Sequence, residues 1–330
     1  MTETAWGMTV LDMRNWLKMI KINKYNPEYK DIWNNFITNS KNGTFMLNRN
    51  YMDYHSNRFK DFSLMFFEDD KLIAVMPASL HGNELISHGG LTYGGIITDN
   101  SMKQHRMLEC FDVMKNLLKD NNISKLTYKA IPYIYHKQPA QEDLYTLSVN
   151  GAKLIRRDVA STVNLLETIK MSKGRKAQIT RAKRERVIVE QSKDFKTFIN
   201  LENQVLQEYH NAKAVHSANE LKLLNSKFEN EIQLWTSELN GEIIAGTVIF
   251  VYENLVHTQY LAANDKARKI GALDLVINTL IEKFKNENKQ YFDFGISTEN
   301  QGKYLNEGLI FQKESFGGRS VVYDFYELQL

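Results

Sequence analysis

The chain has 330 residues, enough for two domains, and its 43% hydrophobic content excludes a globally disordered protein. Its formal net charge of +3 excludes a general nucleic-acid-binding surface and leaves local charge clusters to be read one by one. The single cysteine excludes an internal disulfide and a cysteine-rich metal site, and no apolar run reaches the roughly 18 residues that would span a bilayer, so a cytoplasmic, metal-independent protein is expected.

Residues 1–18 lack a signal-peptide core, because Asp12 and Arg14 interrupt it, and they read as an appendage before a domain that starts near Met19. Residues 20–23 form a short strand. Asn26 and Pro27 then supply the cap and first residue of a helix through Ser40, whose apolar face is Ile32, Trp33, Phe36 and Ile37. Strands are expected at 62–67 and 72–77 around an Asp69-Asp70 turn. Four glycines then crowd the stretch His88-Gly89-Gly90-Leu91-Thr92-Tyr93-Gly94-Gly95. That backbone freedom suits either a ligand-facing loop, with His88 or Tyr93 beside it, or a bulged crossing between sheets. A helix at 102–118 carries Cys110 in its apolar pattern, where it reads as a buried core thiol. A strand at 125–130, a helix at 141–149 and a strand pair at 154–157 and 161–165 close the first half.

The second half repeats this order. Helices are expected at 195–209 and 219–228. Strands at 233–239 and 242–251 are joined by Asn240-Gly241, a strong hairpin signal, and a third strand follows at 255–262. A long helix at 266–286, a strand at 291–294, a short helix at 301–307 and two final strands complete the chain. Lys71-Leu72-Ile73-Ala74 and Glu242-Ile243-Ile244-Ala245 match at an offset of 171, which points to two copies of one α/β fold.

Between the halves, seven of the fourteen residues at 173–186 are lysine or arginine, opposed only by Glu185. A run this dense repels itself unless an anion answers it, such as the diphosphate of an acceptor or an RNA backbone.

The sequence Arg175-Lys176-Ala177-Gln178-Ile179-Thr180-Arg181-Ala182-Lys183 resembles the basic helix of Fem-type transferases, tandem-repeat members of the GNAT acyltransferase superfamily. Asp293-Phe294-Gly295 and the segment from Gly308 to Gly318 resemble their C-terminal motifs. Residues 88–95 are similar to N-terminal halves of related proteins from surface-polysaccharide clusters. The resemblance spans residues 20–330. It implies two tandem GNAT-like domains at 19–168 and 169–330, each a mixed, mostly antiparallel sheet flanked by helices. It also implies transfer of an acyl or aminoacyl group to an amine of a cell-envelope or surface-polysaccharide precursor.

An acyl-CoA donor is the first expectation, because the chain is nearly neutral and has no long charged arm for tRNA. Aminoacyl-tRNA is the alternative donor, and a non-catalytic nucleotide- or RNA-binding protein is the alternative of another class. The expected partners are a saccharide acceptor, lipid- or nucleotide-linked, and on the alternative reading tRNA.

Acyl transfer to an amine needs a neutral nucleophile, a held carbonyl and a stabilised oxyanion. The catalytic candidates are Lys313, Asp293 and His257. Strand alternation puts Tyr260 on the opposite face from His257. The donor candidates are Lys266, Arg268, Lys269, Gly271 and Ala272, at a helix start whose free amides suit phosphate. This start resembles the GNAT pyrophosphate loop, with Leu273 where that loop carries Gly or Ala. Gln312-Lys313 stands where Fem-type enzymes carry Phe-Lys. The acceptor candidates are Arg175, Arg181, His88, Tyr93 and Arg319.

Overall fold

The computed structural model describes residues 19–330, so the appendage expected at 1–18 lies outside them. The first half runs β1 (Ile20–Lys24), α1 (Lys30–Asn39), α2 (Arg49–Met52), β2 (Leu64–Glu68), β3 (Lys71–Met76), β4 (Ser79–His81), β5 (Glu84–Ile86), β6 (Ile97–Thr98), α3 (Gln104–Asp120), β7 (Lys125–Lys129), α4 (Glu142–Val149) and β8 (Lys153–Asn164). The second half begins with α5 (Lys173–Arg184), β9 (Ile188–Ser192), α6 (Phe195–His210), α7 (Ala218–Lys227), β10 (Ile232–Leu239), β11 (Glu242–Val251) and β12 (Leu255–Ala263). It continues with α8 (Asp265–Ile270), α9 (Ala272–Asn286), β13 (Tyr291–Ile296), β14 (Thr298–Glu299), β15 (Tyr304–Leu305), α10 (Glu307–Glu314) and β16 (Arg319–Gln329).

Local chemistry explains most boundaries. Asn26, Ser172, Asn264 and Asn306 each accept a backbone N–H with their side chains at a helix start, and Ser217 with Glu220 forms a reciprocal box at α7. Asn240 and Gly241 both take positive φ between β10 and β11, as a two-residue hairpin requires. Helix α9 buries Val276, Ile277, Leu280, Ile281 and Phe284 against the sheet, the apolar stripe of a helix that covers a core.

The strand registers carry the duplication further than the four-residue sequence match. The β2–β3 pair is irregular between Phe66 and Phe67, and the β10–β11 pair between Ser237 and Glu238, the same place at an offset of 171. The parallel pair β5–β7 engages Glu84, Leu85 and Ile86; the parallel pair β12–β13 engages Leu255, Val256 and His257, again at 171. The halves nevertheless share one sheet of ten strands, in the order β4-β5-β7-β16-β8-β13-β12-β11-β10-β9. The last strand of the chain, β16, inserts between β7 and β8 of the first half, while β8 pairs on its other edge with β13. A core cluster running from Trp33 and Tyr93 to Phe198 and Phe250 packs the halves together.

Several local expectations are corrected. The strands expected at 154–157 and 161–165 are one strand, β8, because its backbone pairs with β16 from Lys153 to Thr162 across a single bulge at Ile155. The hairpin β4–β5 and the edge strand β9 are additional; their short or polar sequences carry little periodicity. The long helix expected at 266–286 is broken at Gly271, whose φ of 76° ends α8 and starts α9. The short helix expected at 301–307 is replaced by the β14–β15 pair, and the helix α10 follows at Glu307–Glu314, with Lys313 on its buried face.

Candidate active site

The site is built where β12 and β13 part. Their parallel pairing stops after His257↔Asp293. Beyond that rung β12 stays with β11 to Ala263, while β13 turns at Gly295 (φ 69°) toward β8. Between the diverging ends lies a small apolar cleft lined by Leu261, Leu273, Phe294, Leu309 and Phe316, with Lys313 on its wall.

His257 and Asp293 meet at the apex. The Nδ1 of His257 lies 2.8 Å from Asp293 Oδ2. Thr162 of β8 donates its hydroxyl to Oδ1 at 2.8 Å, and Tyr323 of β16 donates to Oδ2 at 2.8 Å. Tyr135 sits 2.9 Å from Tyr323 and 3.3 Å from the same carboxylate oxygen. Asp293 is fully buried, which alone raises a carboxyl pKa; the bonds from His257, Thr162 and Tyr323 outweigh that burial and hold it below its ordinary value. An ionised Asp293 takes an N–H from Nδ1, so the lone pair of the imidazole is on Nε2. Nε2 has no partner among the described residues and is the atom available as a base. Gly295 packs against the ring edge: a Cβ there would lie 3.0 Å from His257 Cε1.

Lys313 donates from Nζ to the carbonyls of Gly295 (3.0 Å) and Ile296 (2.6 Å), pinning the end of the strand that carries Asp293. Burial lowers its pKa to about 8, with the charge of Asp293 acting the other way.

The expectation that His257 and Tyr260 occupy opposite faces is overturned by a β-bulge. Opposite β11, Ile249 pairs with Thr258 and Val248 with Tyr260, leaving Gln259 as the extra residue. The bulge resets the alternation, so Leu255, Tyr260 and Ala262 join the inter-half core on the same side as His257, whereas Val256 and Leu261 face α9. Tyr260 contacts His216 Nδ1 at 2.6 Å, and His216 Nε2 contacts Tyr54 at 2.8 Å. Sequence reading missed His216, Tyr54, Tyr135, Tyr323 and Thr162; an inserted residue in a ladder leaves no periodic signal, and residues from five separate segments share none.

The remaining candidates are scattered. Tyr93 joins the apex cluster, its ring 4.7 Å from Tyr135. His88 lies elsewhere, buried beside His55 and Phe59; burial pushes its pKa down to about 3. The glycine-rich stretch fills the first half's own parting of strands. Lys129 Nζ donates to the Leu91 and His88 carbonyls, and Gly94 N–H to the Lys129 carbonyl. At the rung equivalent to His257–Asp293 the first half carries Ile86 and Thr127, which cannot do acid–base work.

Arg175 pairs with Asp274 at 2.5 Å and donates to Ser315 at 2.7 Å, tying α5 to α9 and α10. Arg181 donates to the Lys269 carbonyl at 2.8 Å. Lys266, Arg268 and Lys269 are exposed, but Gly271 and Ala272 are buried under α5: a Cβ on Gly271 would lie 2.6 Å from the Gln178 carbonyl oxygen. Arg319 is exposed at the start of β16, across the ladder from Thr162.

Residues 170–304 match the family described as Acetyltransferase (GNAT) domain. A structure titled "Crystal structure of FemX" superposes with a TM-score of 0.67 at 10% identity, covering 94% of this chain and 97% of that one. Its fold is the Fem-type tandem GNAT fold. The L-PGS structure from Bacillus licheniformis shares this Fem-type fold at a TM-score of 0.60 and 17% identity, covering 93% of each chain. A tandem GNAT protein from the clavulanic acid biosynthesis pathway aligns at 0.52 and 9% identity, over 94% of this chain and 98% of that one. A sequence search of curated proteins finds no match. Among the described residues, no helix is long and apolar enough to cross a membrane.

Proposed function

We propose that the protein is an N-acyltransferase that acylates an amine of a cell-envelope or surface-polysaccharide precursor, with His257 as base and Asp293 as its orienting partner. The observation that carries this reading is the hydrogen-bonded His257–Asp293 pair at the last rung before the parallel strands part. The donor's acyl group lies in the cleft. The acceptor amine attacks the acyl carbonyl, and the C–S or C–O bond to the donor breaks. The amine proton passes to His257 Nε2, and from there to the departing thiolate or alkoxide. Lys313 fixes the strand end that carries Asp293, and its third N–H is available to the oxyanion.

An acyl-CoA donor agrees with the GNAT domain. One observation favours the second reading, an aminoacyl-tRNA donor. The first turn of α9, where a pyrophosphate would sit, already holds the Asp274 carboxylate paired to Arg175 and is covered by α5. Meanwhile Lys173, Lys176, Lys183, Arg184 and Arg186 are exposed on or beside α5. Mass spectrometry of amine-bearing envelope precursors, incubated with acetyl-CoA or with charged tRNA, separates the donors. Whichever donor yields a covalent adduct is the substrate, and no adduct with either would sink the enzyme reading.

A further inference from the structure

A second cavity is separate from the donor cleft. It is a groove of about 400 Å³ between the halves, at the opposite end of β12 from the parting strands. That volume lies within the roughly 300–1,000 Å³ of small-molecule sites. Its floor is aromatic: Phe45, Tyr135, Phe228 and Tyr252, with the Phe45 and Tyr252 rings stacked at 5.1 Å. Its rim is polar and electrically balanced, with Lys137 and Lys289 against Glu231 and Glu253.

The polar groups are not equivalent. Lys137 is engaged by Glu253 and the Thr38 carbonyl. Lys289 is engaged by the carbonyls of Tyr252 and Glu253. Both rim lysines already donate to protein acceptors, whereas the side chains of Asn230 and Glu231 have no partner among the described residues, and an unpaired carboxylate repels a phosphate. Aromatic rings offer flat faces with a negative quadrupole to polarised C–H groups. An amide and a carboxylate beside them suit hydroxyls. This is the chemistry of an uncharged pyranose, and it argues against a nucleotide.

We infer that the groove binds a neutral saccharide unit, and, resting on the acyl-transfer reading, that this unit is the sugar portion of the acceptor. The groove touches the catalytic cluster through Tyr135, which lines it and whose hydroxyl reaches Asp293 and Tyr323. An occupied groove therefore bears on the residue that buttresses the base.

Saturation-transfer NMR on the full chain with chitotriose as probe tests the inference, with UDP as competitor. The expected result is transfer to the sugar C–H protons that Glu231→Ala and Asn230→Ala each weaken at least fivefold and that excess UDP leaves intact. Both side chains lie on the rim, so circular dichroism should show the variants folded. Transfer unaffected by either substitution, displacement by UDP, or no transfer at millimolar chitotriose would overturn it. The measurement involves no acyl donor. Failure of the transferase reading would appear as sugar binding without acylation, and failure of the groove as acylation without sugar binding.

Discussion

His257 and Asp293 face each other across the last rung that β12 and β13 share, their side chains 2.8 Å apart. One residue further on, the strands part. The same rung therefore ends the parallel ladder and holds the proposed base at the point where the strands part. The equivalent rung of the first half, Ile86 opposite Thr127, has the backbone geometry without the chemistry, so on the proposed reading the side chains and not the fold put the acid–base pair in the second half.

Asp293→Asn should lower the transfer rate by about 10²–10⁴-fold, the usual share of an acid–base group. The amide cannot hold the Nδ1–H tautomer by accepting with full charge. Single-turnover rates with a fold check by circular dichroism measure this; a loss below fivefold would remove Asp293 from the mechanism.

Gly295→Ala should cost about 1–2 kcal/mol in stability for the left-handed backbone, and should also impair transfer, because the new methyl would press on the His257 ring. Denaturant melts and transfer rates should both move. A variant that melts earlier yet turns over normally would show that the ring has room to shift.

Lys313→Met tests a buried lysine by its pH signature. The folded-state pKa is lowered to about 8, so between there and the unfolded value near 10.4 the unfolded chain binds the extra proton. Stability should rise with pH across that window. In the variant this rise should be smaller, as read from urea midpoints at pH 7.5 and 9.5.

Glu202 has the opposite sign. It is buried on α6 with Oε2 unpartnered, and burial raises its pKa to about 7. Its neutral form is the one the fold tolerates, so this contribution is fully present below the unfolded carboxyl pKa and is lost as pH rises through 7. Glu202→Gln should match the parent at pH 4 and be more stable at pH 8. Equal stability at both pH values would contradict an unpaired carboxylate.

Much of the fold was legible in the sequence, because caps, the Asn240-Gly241 turn and the apolar helix faces are local signals. The offset of 171 was legible from four residues and holds through two ladders. The candidate site was legible only as separate residues: Asp293 and His257 stand 36 positions apart, and nothing in either segment says that they pair. The bulge at Gln259 defeated the alternation argument for Tyr260, since one inserted residue inverts the parity of everything after it. The burial of Lys313 was hidden for a similar reason. Its helix has three exposed apolar or small neighbours, Gly308, Leu309 and Phe311, and so shows no clean amphipathic stripe.

The most direct measurement is single-turnover acylation of one amine-bearing acceptor by the wild type and by His257→Ala, with the product followed by intact mass. A loss of about 10²–10⁴-fold in a variant that remains folded is the predicted result. Equal rates for the two proteins would contradict the assignment of His257 as the base.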